Sequence, residues 1–192
     1  MSLQIWLPLN GSLENKGVST APLTTKGIST STGKISSSCA NFASGDYISF
    51  SNANFINANT KNITIAFWVK TTSTSTMTFM CDRSNTGSGF ALFQISATSF
   101  RFDMGGAQTT FNHNLNLSNW THLCFTADGL TKKMYVNGNL HSSINYSGTQ
   151  ADVGNNLYIG GSLSNTNTGG ATSNNHFIGQ MQDYRIYDNT LS

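Results

Sequence analysis

Ile63-Thr64-Ile65-Ala66-Phe67-Trp68-Val69-Lys70 is the stretch that decides the fold. Its apolar residues recur with a period of two, which in an extended chain puts Ile63, Ile65, Phe67 and Val69 on one face and Trp68 on the other. Further strand candidates follow at short spacing: Tyr47 to Phe50, Thr78 to Cys81, Phe90 to Ile95, Phe100 to Met104, Thr121 to Ala127, Lys133 to Val136, Leu157 to Ile159 and Gln182 to Tyr187. Asn137-Gly138, between Met134-Tyr135-Val136 and Asn139-Leu140-His141, is the strongest hairpin signal, because both turn residues tolerate positive φ. Asp128-Gly129 and Asn85 to Gly89 mark two more turns. No helical periodicity outlasts a turn or two, so the chain reads as all-β, a two-sheet sandwich or barrel. Ser29 to Ser38 and Ser162 to Asn175 are read as loops of one domain spanning residues 1–192, since strand signals continue after both.

Composition removes several functions. Ten Lys plus Arg stand against eight Asp plus Glu with no basic cluster, so no stripe exists that could displace counterions from a phosphate backbone, and nucleic acid is not expected as a partner. No run of 18 apolar residues is present, and the N-terminus lacks a charged segment followed by an apolar one, so neither membrane insertion nor a signal peptide is expected. Cys39, Cys81 and Cys124 are an odd number, and the last two sit in apolar runs, as buried free thiols would. Folding in a reducing cytoplasm follows as the expectation. The five Asn-x-Ser/Thr sequons are accounted for by the abundance of those residues.

The terminal segment, Phe177 through Met181 to Asp183-Tyr184-Arg185-Ile186-Tyr187-Asp188, poses a problem of its own. It reads as a strand with a carboxylate, Asp183, in its middle, and that charge needs a partner. Arg185 is not expected to be the partner, because it lies two residues on and points along the same face.

The order of these segments resembles the laminin-G-like, or concanavalin A-like, jelly roll of lectin and glucanase modules. The resemblance is carried by Ile5-Trp6-Leu7-Pro8-Leu9-Asn10-Gly11, Gly33-Lys34-Ile35 through Phe42, Tyr47 to Phe50, Ile63 to Lys70, Trp120-Thr121-His122, Tyr135-Val136-Asn137-Gly138, Tyr158-Ile159-Gly160, Phe177-Ile178-Gly179 and the closing Asp183 to Asp188. It implies a two-sheet antiparallel jelly-roll sandwich. The opening, Leu3 to Gly11, looks like stand-alone domains of bacteriophage virion proteins. In glucanases of this fold the Asp of the equivalent strand resembles a ligand of a structural calcium, joined by backbone carbonyls. The matching positions here are Asn10 or its neighbour Gly11, Gly45 and Asp183, and calcium suits such a mixed oxygen set.

Glycosidases of this fold work with two carboxylic acids, whereas this chain has one glutamate, Glu14, in an N-terminal loop, and no Asp pair closely spaced on one strand face. A serine triad built from Ser88 and His122 or His113 has less support than a hairpin tip at Gly87-Ser88-Gly89. No enzyme activity is expected. Sugar recognition needs an aromatic platform with polar side chains around it. Trp6, Trp68 and Trp120 fall on strand motifs, and Trp68 opposes the apolar face, so it either lines the concave outer surface or packs under a covering loop. The ligand-binding candidates are Trp68 with Asp82, Arg83, Asn85 and His113 on connections, where ligand sites of such folds collect. Pentraxins share this architecture and bind ligands through calcium held by acidic side chains of two loops, but the later loop here, Ser162 to Asn175, carries no carboxylate, so a site of that kind is not expected. The sequence therefore reads as a carbohydrate-binding or surface-adhesion module. Its expected partners are a glycan or cell-surface polysaccharide and other virion or adhesin subunits, on a phage particle or extracellular surface. The alternative is an architectural virion domain without a soluble ligand, and a glycoside hydrolase comes third.

Overall fold

A computed structural model describes residues 2–53, 62–82, 89–104, 106–147, 156–161 and 175–191. The described strands are β1 (Leu3–Leu7), β2 (Leu23–Lys26), β3 (Ser29–Thr32), β4 (Ser38–Phe42), β5 (Tyr47–Phe50), β6 (Asn62–Lys70), β7 (Met77–Cys81), β8 (Phe90–Ser96), β9 (Ser99–Met104), β10 (Ala107–Asn112), β11 (Thr121–Asp128), β12 (Thr131–Val136), β13 (Asn139–Asn145), β14 (Leu157–Ile159) and β15 (Gly179–Tyr187). The described residues contain no helix. One sheet runs β13-β12-β11-β6-β15-β4-β3, with β1 also paired to β15, and the other runs β10-β9-β8-β7-β14-β5-β2. The strand pairs are antiparallel, and the two sheets pack as the expected jelly-roll sandwich.

Burial follows the period-two reading. Ile63, Ile65, Phe67 and Val69 of β6 and Leu123, Phe125 and Ala127 of β11 are buried in one core cluster with Phe79, Phe90, Phe100 and Phe102 of the facing sheet. Asn137 (φ 50°) and Gly138 (φ 84°) form the expected turn, closing the β12–β13 hairpin. The three cysteines form no disulfide, Cys39 and Cys81 being buried and Cys124 partly so. Part of the Ser29 to Ser38 loop expectation is corrected. Ser29–Thr32 forms edge strand β3, whose polar residues satisfy an edge facing water, and only the loop around Gly33 to Ser37 is irregular.

Among the described residues Lys132 is the one fully buried lysine. It shares the inward face of β12 with Met134, and its ammonium donates to the carbonyls of Phe102 (2.9 Å) and Ala107 (2.8 Å) on the opposite sheet. The Nζ lies 4.4 Å from the Tyr146 ring centroid. Burial pulls its pKa down to about 8, against the attraction of Asp103.

Candidate functional site: an aromatic basin on the outer sheet face

The site depends on a joint in β15. One edge of β15 pairs with β6, while its other edge is shared, β4 opposite Gly179, Gln180 and Met181 and β1 opposite Tyr184 to Tyr187. Between these two partners Gln182 pairs with Trp68 but Arg185 with Ala66, so three residues of β15 advance against two of β6. That is a β-bulge. Asp183 occupies it with φ 53°, and its N–H donates to the Pro8 carbonyl at 3.0 Å.

The bulge resolves the problem of a carboxylate in an apolar strand. Met181 faces the core, and in a regular strand Asp183 would face it too. The extra residue reverses the phase, so Tyr184 and Ile186 become the buried residues, with Tyr184 stacked on Phe67 at 4.9 Å. Asp183 turns outward, where its Oδ1 accepts the Trp6 indole N–H (2.8 Å) and the Arg185 Nε–H (2.9 Å). Arg185 in turn lies over the Trp6 ring, 5.3 Å from its centroid. The expectation that Arg185 is not the partner is thus corrected. Sharing a face is what lets the two side chains meet, and the bulge supplies the approach.

Gln182, just before the bulge, is fully buried on the outer face and acts as a clamp. Its Oε1 accepts the backbone N–H groups of Lys34 (2.8 Å) and Ile35 (2.9 Å), and its Nε2 donates to the Ser36 hydroxyl (2.5 Å) and the Ser38 carbonyl (2.7 Å). The loop is drawn tight enough that a Cβ on Gly33 would lie 2.5 Å from the Ser36 and Ser38 carbonyl oxygens. So held, the loop brings the Lys34 ammonium to 5.7 Å from the centroid of the Trp68 ring, at the outer limit of a cation–π contact.

Trp68, His122 and Gln182 are side-by-side partners on adjacent strands. His122 meets Trp68 edge to face at 5.3 Å, and burial lowers its imidazole below the ordinary histidine range, with Asp183 opposing the shift and Arg185 adding to it. The Asn137 side chain accepts the His122 backbone N–H at 2.9 Å, so the hairpin tip is fastened to the same spot. Lys34, Trp68, Trp120, His122 and Asn137 line an open basin of about 520 Å³. Its walls offer two indoles, an ammonium, a neutral imidazole and an amide. Such a set can stack on an apolar ring face and exchange hydrogen bonds with hydroxyl groups.

Of the other nominated residues, neither Asp82 nor His113 lines this basin. Asp82 is 2% exposed at the end of β7, where its Oδ1 accepts the Phe90 N–H at 2.6 Å. Burial pushes its pKa up to about 7, against the Phe90 hydrogen bond. His113 is buried too, stacked on Phe100 at 4.1 Å. Arg83 and Asn85 lie outside the described residues. Strand pairing does not place Gly45 beside Asp183. Gly45 follows the β4 end at Phe42, which pairs with Gly179, and Asp183 lies four residues away along β15 in the opposite direction, about 13 Å at the strand rise. Asn10 is exposed, and the N-terminal segment reaches Asp183 through Pro8 instead. The Asp183 Oδ1 is engaged by an indole and a guanidinium. Among the described residues no group of three or more His, Cys, Asp or Glu side chains is placed to hold a metal.

The sequence pattern points to Trp68 but not to its neighbours in the basin. Trp120, His122 and Asn137 are within the quoted motifs as fold markers, while Lys34 reaches the basin only through contacts with a residue 148 positions away.

Comparison with known proteins agrees with this architecture. Among solved structures, domain 4 of AbnA, an extracellular arabinanase of Geobacillus stearothermophilus determined in complex with arabinotriose, superposes with a TM-score of 0.68 at 17% identity, covering 100% of this chain and 94% of that one. The receptor binding domain of botulinum neurotoxin mosaic serotype C/D gives 0.67 at 18% identity, covering 100% of this chain and 48% of that one. The binding domain of botulinum neurotoxin DC in complex with SialylT gives 0.68 at 14% identity, covering 100% and 49%. The chain thus spans about half the length of the toxin domains it matches. No curated protein sequence matches it. A laminin-G-like family profile, described as the concanavalin A-like lectin/glucanases superfamily, matches residues 42–192. By that match, over most of its length and across both sheets, the chain belongs to the concanavalin A-like lectin/glucanase superfamily.

Proposed function

We propose that this domain is a non-catalytic carbohydrate-binding module that holds a saccharide in the basin around Trp68. The observation that carries the reading is the convergence of Trp68, Trp120, His122, Lys34 and Asn137 on one open face, held there by the Gln182 clamp and the Asn137 turn. Aromatic faces with amide and cationic groups at their rim are what a sugar requires, since its hydroxyls must be paired when its ring is buried. The likeness to a domain solved with arabinotriose and to one solved with SialylT supports the same reading. Hydrolysis is disfavoured by chemistry: the basin lining includes no carboxylate, and Asp183 nearby is engaged by Trp6 and Arg185, whereas glycoside cleavage uses two carboxyl groups flanking the bond. The setting that suits such a module is an adhesive assembly on an extracellular surface or a phage particle. There it would recognise surface polysaccharide while its neighbours are other subunits of that assembly.

A glycan array followed by titration calorimetry tests this. Binding to at least one saccharide is expected, and Trp68→Ala, with unchanged circular dichroism, is expected to weaken it tenfold or more, equivalent to about 1.4 kcal/mol. Absence of binding across the array, or binding indifferent to Trp68→Ala, would overturn the assignment. Absence of binding in a protein that multimerises through a surface patch would favour an architectural role.

A further inference from the structure

We infer that the saccharide held in the basin is an acidic one, its carboxylate or sulfate received by the Lys34 ammonium. This rests on the carbohydrate reading above and adds the chemical class. The charges on this face are lopsided. Lys34 stands at the basin rim, and Lys70 follows Trp68 by two residues on β6 and so projects from the same face. Arg185 lies in the next row of the sheet, opposite Ala66. Asp183, in the bulge between the Gln182 and Arg185 rows, is occupied by Trp6 and Arg185. Among the described residues Lys34 and Lys70 have no ion-pair partner, and no carboxylate lines the basin.

Lys34 is also placed by construction. Four hydrogen bonds from the buried Gln182 amide fix the loop that carries it, while its side chain is left exposed over Trp68. The fixed backbone reduces the ordering that a ligand must impose. At 5.7 Å from the indole centroid the ammonium touches the ring weakly. An anion beside the ring therefore draws it into a charge-assisted hydrogen bond and frees the indole face for the sugar. His122, kept neutral by burial at physiological pH, adds a hydroxyl partner and no competing charge.

The test is calorimetric titration of matched oligosaccharides: a neutral parent, its carboxylated form and its sulfated form, against wild type, Lys34→Gln, Lys34→Arg and Trp68→Ala. An acidic form is expected to bind about tenfold tighter than the neutral parent, the scale of one charge-assisted contact. Lys34→Gln removes that advantage, Lys34→Arg keeps it, and added salt erodes it. Whether the carboxylated or the sulfated arm gains more identifies the acidic group. Equal binding of neutral and acidic forms, unaffected by Lys34→Gln but abolished by Trp68→Ala, would overturn the acidic class and leave the carbohydrate site standing. No binding of any form would overturn both.

Discussion

Asp82→Asn separates a ligand residue from a buried carboxyl group, and its effect follows from the structure. Asp82 is 2% exposed, and burial raises its carboxyl to about 7 although the Phe90 N–H favours ionisation. In the unfolded chain an aspartate ionises near 3.9, a difference of about 3 pH units, and at 1.36 kcal/mol per unit the folded state is penalised by about 4 kcal/mol once the group is ionised. The sign is fixed by the direction of the shift. A raised pKa means that the native state binds more protons between the two values, so the contribution is fully present below about 4 and is lost as pH rises through 7. Asparagine keeps the acceptor for Phe90 and cannot ionise. Urea unfolding followed by tryptophan fluorescence at pH 4 and pH 9 should show Asp82→Asn gaining about 4 kcal/mol on wild type between the two conditions. Near 190 residues this corresponds to roughly 10 °C in Tm. Saccharide affinity should not change. Parallel pH profiles for the two proteins would refute the buried-carboxyl account, and lost affinity would restore Asp82 as a ligand residue.

Two further outcomes follow from other parts of the molecule. Lys132→Ala removes the donor to the Phe102 and Ala107 carbonyls and leaves a void beside Tyr146. A loss of about 2 to 4 kcal/mol in urea unfolding is expected, and a loss below 1 kcal/mol would show that the inter-sheet bonds are replaced by water. For protein stripped with chelator, addition of calcium should leave Tm unchanged, because Trp6 and Arg185 already satisfy Asp183. A rise on adding calcium would show a metal-dependent staple.

Local pattern made much of the fold readable. The period of two in β6, the Asn137-Gly138 turn and the apolar cores of β5, β7, β8, β9 and β11 depend on side chains and turn residues that carry their preferences with them. Trp68 was placed on the outward face by the same count. The bulge was also written in the sequence, as a change of parity: Phe177 and Met181 fall on odd positions, Tyr184 and Ile186 on even ones, and all four are buried, which no regular strand permits. The inward position of Lys132 could have been read from its spacing to Met134. What could not be read are contacts that the chain makes between distant segments. Gln182 meets the Lys34 loop, Asp183 meets Trp6, and Lys132 meets carbonyls of the other sheet only after the sandwich has closed. A backbone carbonyl as partner leaves no side-chain signature at all. Strand pairing likewise decides that Gly45 follows one end of the short β4–β15 ladder and Asp183 the other, a separation that no local pattern announces.

The central claim is that the ligand sits on Trp68 and Trp120, and the chain's three tryptophans allow it to be tested directly. In a nitrogen-15 correlation spectrum each indole N–H gives one signal, assignable by single Trp→Phe substitutions. On titration with a binding saccharide the signals of Trp68 and Trp120 should shift together, while that of Trp6, donated to Asp183, stays in place. Saturable binding with Trp68 and Trp120 both unmoved would contradict the account.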